Sequence, residues 1–226
     1  EPMSSLNPSW TIGRQIMEAV ELNQGLKGKE AREKALEMLR LVRIPAPESR
    51  MENYPHELSG GMKQRVMIAI ALACRPKVLI ADEPTTSLGV TIQAQILELI
   101  KQLKTEIGMT LVLITHDLGV VAEMADRVSI MYAGQIMENA DVFSIFHSPA
   151  HPYTKGIVNT VMDLKNKNKR LEVIPGDPPS LLNPPPGCRF APRCEYVQDI
   201  CRTTTPEYKE VIENSGRWVK CHFPLL

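Results

Sequence analysis

The sequence predicts an α/β fold with a partly parallel sheet. Two short apolar segments, Lys77–Ala81 and Thr110–Ile114, have the length and composition of buried strands. Helical patterns accompany them, one from Met62 to about Cys74 and one from Thr91 to about Ile107. Because strands that alternate with helices along a chain form parallel sheets, we expect the two strands in one sheet.

The composition excludes some classes of protein. The 226 residues suit one large or two modest domains, and 43% of them are hydrophobic, which is enough for a core. Twenty-six acidic and 26 basic residues leave no net charge, which disfavours a dominant nucleic-acid surface. The longest apolar run, Val66–Cys74, is too short to span a bilayer, and we recognise no signal peptide. Any association with a membrane is therefore expected to depend on partner subunits.

Residues 10–50 predict a small helical region that precedes the first strand. Apolar residues recur there at helical spacing and form two groups, and Pro45 and Pro47 then interrupt the pattern. The groups are Ile12, Ile16 and Val20, followed by Ala35, Leu36, Leu39 and Val42.

A loop with two glycines, Leu58-Ser59-Gly60-Gly61, comes directly before the helix that starts near Met62. A helix N-terminus exposes unpaired N–H groups and a partial positive charge, which together favour a phosphate. Ser59 suits the capping position, and the glycines let an anion approach the backbone closely. Paired glycines are more often a simple turn, so this loop alone does not establish a phosphate site.

Two acids, Asp82 and Glu83, follow the first strand. The carboxyl edge of a parallel sheet is where α/β proteins bind ligands. In a site that hydrolyses nucleotides, an aspartate there can hold Mg²⁺ and a neighbouring glutamate can polarise the attacking water. The second strand delivers His116 to the same edge, although a single histidine near a strand end is most often structural.

Three motifs in this order resemble those of ATP-binding-cassette (ABC) ATPases, which belong to the P-loop NTPases. LSGGMKQRV resembles their signature motif, VLIADEP their Walker B strand, and Leu113-Ile114-Thr115-His116-Asp117 their switch-histidine motif. The resemblance implies that Glu83 activates water, Asp82 serves Mg²⁺ and His116 senses the γ-phosphate. It also implies a dimer of two ATPase subunits in which the signature residues contact the ATP of the partner. These residues are Ser59, Gly60, Gly61 and Gln64.

The chain departs from the family pattern in two respects. Gly89 stands where the D-loop usually has an aspartate, and the sequence has no G-x-x-x-x-G-K-[ST] motif. Glu1–Pro8 resembles the region that follows the family's Q-loop glutamine. We therefore expect a cassette core that lacks its N-terminal part and that does not hydrolyse ATP by itself.

The C-terminal part has a different character. A helix is expected from His151 to about Met162, followed by the basic run Lys165–Arg170 as a solvated linker and then by a proline-rich stretch with little core of its own.

The segment between the second strand and this part, residues 117–140, predicts a helix over Asp117–Ala125 and a hairpin of Val128–Tyr132 with Gln135–Glu138.

Cys74 lies in the signature helix and is expected in the core. The other four cysteines of the chain follow the proline-rich stretch. Five, six and nineteen residues separate the four, a spacing that matches neither ferredoxins nor a C-x₂-C zinc knuckle. From the spacing alone, disulfides, zinc and an iron–sulfur cluster all remain open. A reducing cytosol disfavours disulfides. The cysteines are Cys188, Cys194, Cys201 and Cys221.

HPYTKG, PPGCRFAPRC and Lys220-Cys221-His222 resemble the C-terminal extension of oligopeptide and dipeptide importer ATPases, including related nickel systems. This resemblance implies a [4Fe–4S] cluster on the four cysteines, with zinc as the alternative. It divides the chain into a Q-loop remainder with a helical signature subdomain (1–75), half of a RecA-like core (76–150) and the peptide-importer extension (151–226).

The resemblance also implies partners and a location. The partners are a second ATPase subunit, identical or different, transmembrane permease subunits and, indirectly, a peptide-binding protein. No nucleic acid is expected as a partner. The ATPase is expected to be a peripheral protein on the cytoplasmic face of the cell membrane. Two other functions remain open: a soluble ABC ATPase that acts on nucleic-acid or translation machinery, and a non-catalytic interaction fragment.

Overall fold

The structure is a computed structural model that describes residues 5–86, 88–164 and 174–226. Two compact units make up the chain, an N-terminal unit of Glu1–His116 and a C-terminal unit of Asp117–Leu226. The predicted basic linker, Lys165–Arg170, lies outside the described residues, as does Ser87 of the D-loop. The three-part division by motif stays a prediction.

The N-terminal unit begins with the predicted helical region. Its elements are α1 (Ile12–Gln24), α2 (Gly28–Leu41), α3 (Pro47–Arg50), a 3₁₀ turn (Pro55–Glu57) and α4 (Gly60–Ala73). The Thr11 side chain caps α1 by accepting a hydrogen bond from the Arg14 N–H, and Gly25 ends the helix in the left-handed conformation at φ 70°. Both predicted apolar groups face inward, and Ile12, Ile16, Val20, Leu39 and Val42 are fully buried.

Cys74 does not lie in the core, contrary to the expectation from the sequence. The last buried residue of α4 is Ala73, and Cys74 is the exposed residue that caps the helix. The apolar run of the sequence therefore extends one residue beyond the buried part of the helix.

The remainder of the N-terminal unit contains β1 (Val78–Asp82), α5 (Val90–Ile107) and β2 (Thr110–Ile114). The two strands pair in parallel, from Val78 opposite Thr110 to Asp82 opposite Ile114, which confirms the predicted parallel pairing. Gly108 ends α5 in the left-handed conformation, as predicted. One face of the strand pair is exposed, with Ile80 65% and Ile114 49% accessible.

The elements of the C-terminal unit in order are α6 (Leu118–Met124), β3 (Arg127–Tyr132), β4 (Gln135–Asp141), α7 (Val142–His147), α8 (Pro152–Leu164), a 3₁₀ turn (Ala191–Arg193), α9 (Asp199–Thr203), β5 (Lys209–Ile212) and β6 (Arg217–Val219). The four strands form an antiparallel sheet in the order β3-β4-β6-β5. The predicted hairpin is present, and its turn residues Ala133 and Gly134 both have positive φ, as the tight turns of hairpins require. The short strands β5 and β6 are not expected from the sequence pattern.

The cysteine-bearing tail shares a hydrophobic core with the hairpin, which is consistent with the expectation that it has little core of its own. Phe190 is 2% exposed, and its ring lies 5.4 Å from that of Tyr132 in an edge-to-face arrangement. Cys188 and Cys201 belong to the same cluster, together with Met137 of β4. The proline-rich composition concealed this because the partner side chains come from the hairpin, about 50 residues earlier.

A buried ion pair joins β4, β6 and the start of α8. Glu138 is fully buried, and its carboxylate accepts hydrogen bonds from the backbone N–H groups of Ala150 (2.9 Å) and His151 (2.8 Å). The guanidinium of Arg217, on β6, lies 3.3 Å from the same carboxylate and also donates to the Ser148 carbonyl. A buried carboxylate loses its contacts with water and needs hydrogen bonds and a cation in their place. This network therefore holds the segment that begins at His151 against the sheet.

Candidate functional site

Glu83 and His116 lie at the carboxyl ends of the two parallel strands. Glu83 directly follows β1, and its N–H donates to the carbonyl of Ile114, the last residue of β2, at 2.9 Å. The Glu83 Oε1 atom then lies 3.1 Å from His116 Nδ1. The side chains are 43% and 79% exposed, respectively, so the pair is open to a ligand from solution. The structure brings together the two residues predicted as catalytic.

The backbone at Glu83 is unusual. Its φ is 44°, a left-handed conformation that non-glycine residues seldom adopt and that clusters at functional sites. A turn follows, in which the Thr86 N–H donates to the Glu83 carbonyl at 3.2 Å. The same turn brings the Thr86 hydroxyl within 2.6 Å of Glu83 Oε2. Thr86 belongs to none of the motif roles expected from the sequence, although a threonine in a turn after Glu-Pro is a signal for such a local bond.

These contacts lower the pKa of the Glu83 carboxyl. The hydrogen bond from Thr86 is the largest cause, and the hydrogen bond to His116 is the second. The carboxyl is therefore ionised near neutral pH, as a general base must be. Asp82, the last residue of β1, is exposed at the same edge of the strand pair.

The signature loop forms the N-terminus of α4, as predicted. The Ser59 Oγ atom accepts a hydrogen bond from the Met62 N–H at 3.4 Å, and Gly60 is the first residue of this 14-residue helix. The N–H groups of the first helical turn have no partner within the helix and are suited to an anion. Ser59 and Gly60 are exposed, whereas Gln64, the fourth residue assigned to ATP, is only 7% exposed.

Leu88, just before α5, and Ile92, in the first turn of α5, lie against this loop. A Cβ atom added to Gly61 would lie 2.7 Å from Ile92 Cγ2, and one added to Gly60 would lie 3.6 Å from Leu88 Cδ2. Gly89 is the capping residue of α5, with an extended φ of −65° and no side-chain cap. Nothing lies within 4 Å of a Cβ built there, so neither the backbone nor the packing requires glycine at this position.

The four C-terminal cysteines line one cavity in the C-terminal unit. All are free thiols; Cys188 and Cys201 are buried, and Cys194 and Cys221 are partly buried. Burial raises the pKa of Cys188 and Cys194, and raises that of Cys221 to about 11; the neighbouring cysteines contribute further. A positively charged group in the cavity would reverse this effect, because it stabilises thiolates.

His151 borders the same cavity and was not predicted to contribute to a site. Its side chain is 1% exposed, and Nδ1 accepts a hydrogen bond from the Tyr153 N–H at 3.0 Å. The proton of the neutral ring is therefore on Nε2, which is buried beside the backbone of Lys220. Across the described residues, no group of three or more His, Cys, Asp or Glu side chains has the arrangement of a metal-ion site.

Comparison with known proteins shows the family. Residues 3–86 match the ABC transporter family, and residues 137–201 match the family described as the oligopeptide/dipeptide transporter, C-terminal region. The chain is 51% identical over 225 residues to the dipeptide transport ATP-binding protein DppD of Escherichia coli, a match that covers 100% of this chain and 68% of DppD. The chain belongs to the ATP-binding proteins of oligopeptide and dipeptide ABC transporters.

Other relatives agree with this assignment. The oligopeptide transport ATP-binding protein AppD of Bacillus subtilis is 53% identical over 221 residues, with 98% of this chain and 67% of AppD covered. Among solved structures, a dimeric post-hydrolysis state of the ATP-binding cassette MJ0796 with ADP and Pi matches with a TM-score of 0.54 and 31% identity, over 61% of this chain and 59% of that one. The structure of cbiO1 from Clostridium perfringens gives a TM-score of 0.57 and 29% identity, over 66% and 57% of the two chains.

Membership in this ABC family confirms the predicted cassette fold. The roles of individual residues rest on the motifs and on the geometry described above. Within the part of the chain that the structure describes, no helix is both long enough and apolar enough to cross a bilayer.

Proposed function

We propose that the chain belongs to the ATPase subunit of a peptide importer, which drives a membrane permease by ATP-dependent dimerisation and hydrolysis. The observation that carries this proposal is the Glu83–His116 pair at the carboxyl ends of β1 and β2. An ionised carboxylate beside an imidazole, both open to solvent, is suited to the activation of water for attack on a phosphoryl group.

The chemistry assigns a role to each residue. Glu83 accepts a proton as the water oxygen bonds to the γ-phosphorus, and the bond from that phosphorus to the ADP oxygen breaks. His116 donates a hydrogen bond to the γ-phosphate and helps to orient the carboxylate, since its Nδ1 already lies 3.1 Å from Glu83. Asp82 would hold Mg²⁺, which neutralises charge on the β- and γ-phosphates.

The signature loop acts on the ATP of the partner subunit. The N–H groups of Gly60 and Gly61 and the Ser59 hydroxyl lie at the N-terminus of α4, where they can bind the γ-phosphate across a dimer interface. Gln64 would contribute after a change of side-chain position, since it is buried in the described arrangement. Without G-x-x-x-x-G-K-[ST], the 226-residue chain alone should not turn over ATP.

The proposed partners follow from the family. They are a second ATPase subunit, identical or different, transmembrane permease subunits and, through the permease, a peptide-binding protein. The ATPase would lie at the cytoplasmic face of the membrane. DppD and AppD are named as transport proteins, which disfavours a role in nucleic-acid or translation machinery.

Reconstitution of the intact subunit with its permease tests this function. Proteoliposomes that hold the complex and an internal ATP supply should accumulate a labelled dipeptide or oligopeptide, and a Glu83→Gln subunit should abolish accumulation. ATP-dependent uptake that survives this substitution would contradict the role of Glu83. Purification of the subunit with RNA or DNA and without a permease would favour the soluble alternative.

We further infer that the four cysteines hold an iron–sulfur cluster of the [4Fe–4S] type. Four thiols that line one cavity provide a complete donor set for such a cluster, and also for Zn²⁺. Zinc stays the alternative, because four thiolates suit either group and, across the described residues, no group of three or more His, Cys, Asp and Glu side chains has the arrangement of a metal-ion site.

The proposed role of the cluster is structural. Cys188 and Cys201 belong to the hydrophobic core that joins the tail to the hairpin, so ligation would fix the tail at this contact. Anaerobically purified protein should be brown and contain iron and sulfide, and Cys201→Ser should bleach it and loosen the residues after Pro175. A colourless protein with one zinc per chain, or with four free thiols and an ordered tail, would overturn this assignment.

A further inference from the structure

Both carboxylate oxygens of Glu83 are occupied, by different parts of the N-terminal unit. His116, which follows β2, contacts Oε1 at 3.1 Å. Thr86, three residues after Glu83, donates its hydroxyl to Oε2 at 2.6 Å, the shorter of the two contacts. The motifs of the sequence account for His116 and leave Thr86 without a role.

The position of the hydroxyl is set by the backbone around it. Two hydrogen bonds hold Glu83, from its N–H to the Ile114 carbonyl at 2.9 Å and from the Thr86 N–H to its own carbonyl at 3.2 Å. Pro84 restricts the backbone between the two residues and is buried. The turn therefore brings the hydroxyl to the carboxylate with little loss of conformational freedom when the bond forms.

We propose that Thr86 is a positioning residue for the general base: its hydroxyl holds one carboxylate oxygen of Glu83 so that the other is directed to His116 and the attacking water. This inference rests on the proposed ATPase function. A carboxylate that is not held in this way can rotate about its terminal bond and leave the line of attack, and small misplacements of a reacting group are costly in rate.

The contact also affects protonation. The Thr86 hydrogen bond is the largest cause of the lowered pKa of Glu83. Its removal should raise the pKa, so the acidic limb of the activity profile should move to higher pH. The shift of this limb reports the loss of the hydrogen bond. A fall in kcat at the pH plateau, where Glu83 is ionised in both proteins, reports the loss of positioning, and a hydroxyl that only stabilised the turn would leave this plateau unchanged.

The test uses the intact subunit in its assembled transporter, with Thr86→Val, which keeps the shape of the side chain, and Thr86→Ser, which keeps the hydroxyl. Thr105→Val is the matched control, because Thr105 is an exposed residue of α5 whose hydroxyl bonds only to the Lys101 carbonyl in the same helix. The measurements are kcat for ATP hydrolysis from pH 5 to 9, the Kd of ATP and the thermal unfolding midpoint.

We expect Thr86→Val to lower kcat by about 10- to 100-fold and to move the acidic limb to higher pH, with the Kd of ATP unchanged. Thr86→Ser should restore both values, and Thr105→Val should match the wild type. A wild-type kcat and pH profile in Thr86→Val, or a Thr86→Ser enzyme as slow as Thr86→Val, would overturn the inference. Sustained hydrolysis by Glu83→Gln would instead contradict the proposed function itself.

Discussion

The Oε1 atom of Glu83 lies 3.1 Å from Nδ1 of His116, although 32 residues separate the two in the sequence. The parallel pairing of β1 with β2 produces this contact, because it places Asp82 opposite Ile114 and so brings the two strand ends together. The pair is exposed, so a nucleotide and water can reach it without rearrangement of the strands.

Glu83→Gln should abolish catalysis in the intact subunit with little loss of ATP affinity. Glutamine keeps the shape of the side chain and cannot accept the proton of the attacking water, so kcat should fall by about 10²- to 10⁴-fold. Single-turnover measurements should show ATP trapped in a stable dimer. A variant that loses ATP binding and hydrolysis together would instead indicate that Glu83 supports the nucleotide site.

Gly61→Ala should destabilise the protein, and Gly60→Ala should not. A Cβ at Gly61 would lie 2.7 Å from Ile92 Cγ2, whereas one at Gly60 would be in ordinary contact, at 3.6 Å, with Leu88 Cδ2. Forcing apart the packed residues around Gly61 should lower the free energy of unfolding by about 1–3 kcal/mol. Urea denaturation of both variants measures the difference, and equal stabilities would show that Ile92 moves away freely.

Gly89→Asp should stabilise the start of α5. The position caps the helix, has an ordinary φ and has open space around a Cβ, and aspartate is a better cap than glycine by a few tenths of a kcal/mol. If the D-loop carboxylate also couples the two ATP sites, the Hill coefficient of hydrolysis in the assembled transporter should rise. An unchanged coefficient with a raised unfolding midpoint would assign the substitution a purely structural effect.

Arg217→Met should destabilise the C-terminal unit strongly. It leaves the fully buried carboxylate of Glu138 without its cationic partner, a change that typically costs about 3–5 kcal/mol. Arg14→Met is the matched control, because it breaks a bond to Glu21 between side chains that are 49% and 29% exposed. Urea denaturation should separate the two variants, and equal midpoints would show that Glu138 finds other compensation.

Acid should destabilise the C-terminal unit in part through His151. Burial lowers its pKa to about 4, below the usual value of about 6.5, so the native state favours the neutral ring. The stabilisation is complete above about pH 6.5 and is lost as the pH falls towards 4, by up to about 1.4 kcal/mol per pH unit. His151→Asn keeps an acceptor for Tyr153 and does not titrate, so its unfolding free energy should depend less steeply on pH. Identical slopes in both proteins would contradict this account.

The sequence by itself determined the family and the identity of the chemical groups. LSGG before a helix, DEP after an apolar strand and the following THD are local patterns, and each depends on the backbone of a few adjacent residues. For the same reason the ends of α4, α5 and β2 agree closely with prediction, since capping residues and apolar periodicity act over short distances.

Only the tertiary structure decided which distant groups meet. The contact between Glu83 and His116 requires two strands to pair in register, and the cavity of the four cysteines requires the tail to pack against the β3–β4 hairpin. The strands β5 and β6 are only four and three residues long, and they form because β4 supplies an edge to β6, which in turn pairs with β5. Such contacts depend on burial and hydrogen bonding between remote segments, and that information is distributed over the whole chain and absent from any one motif.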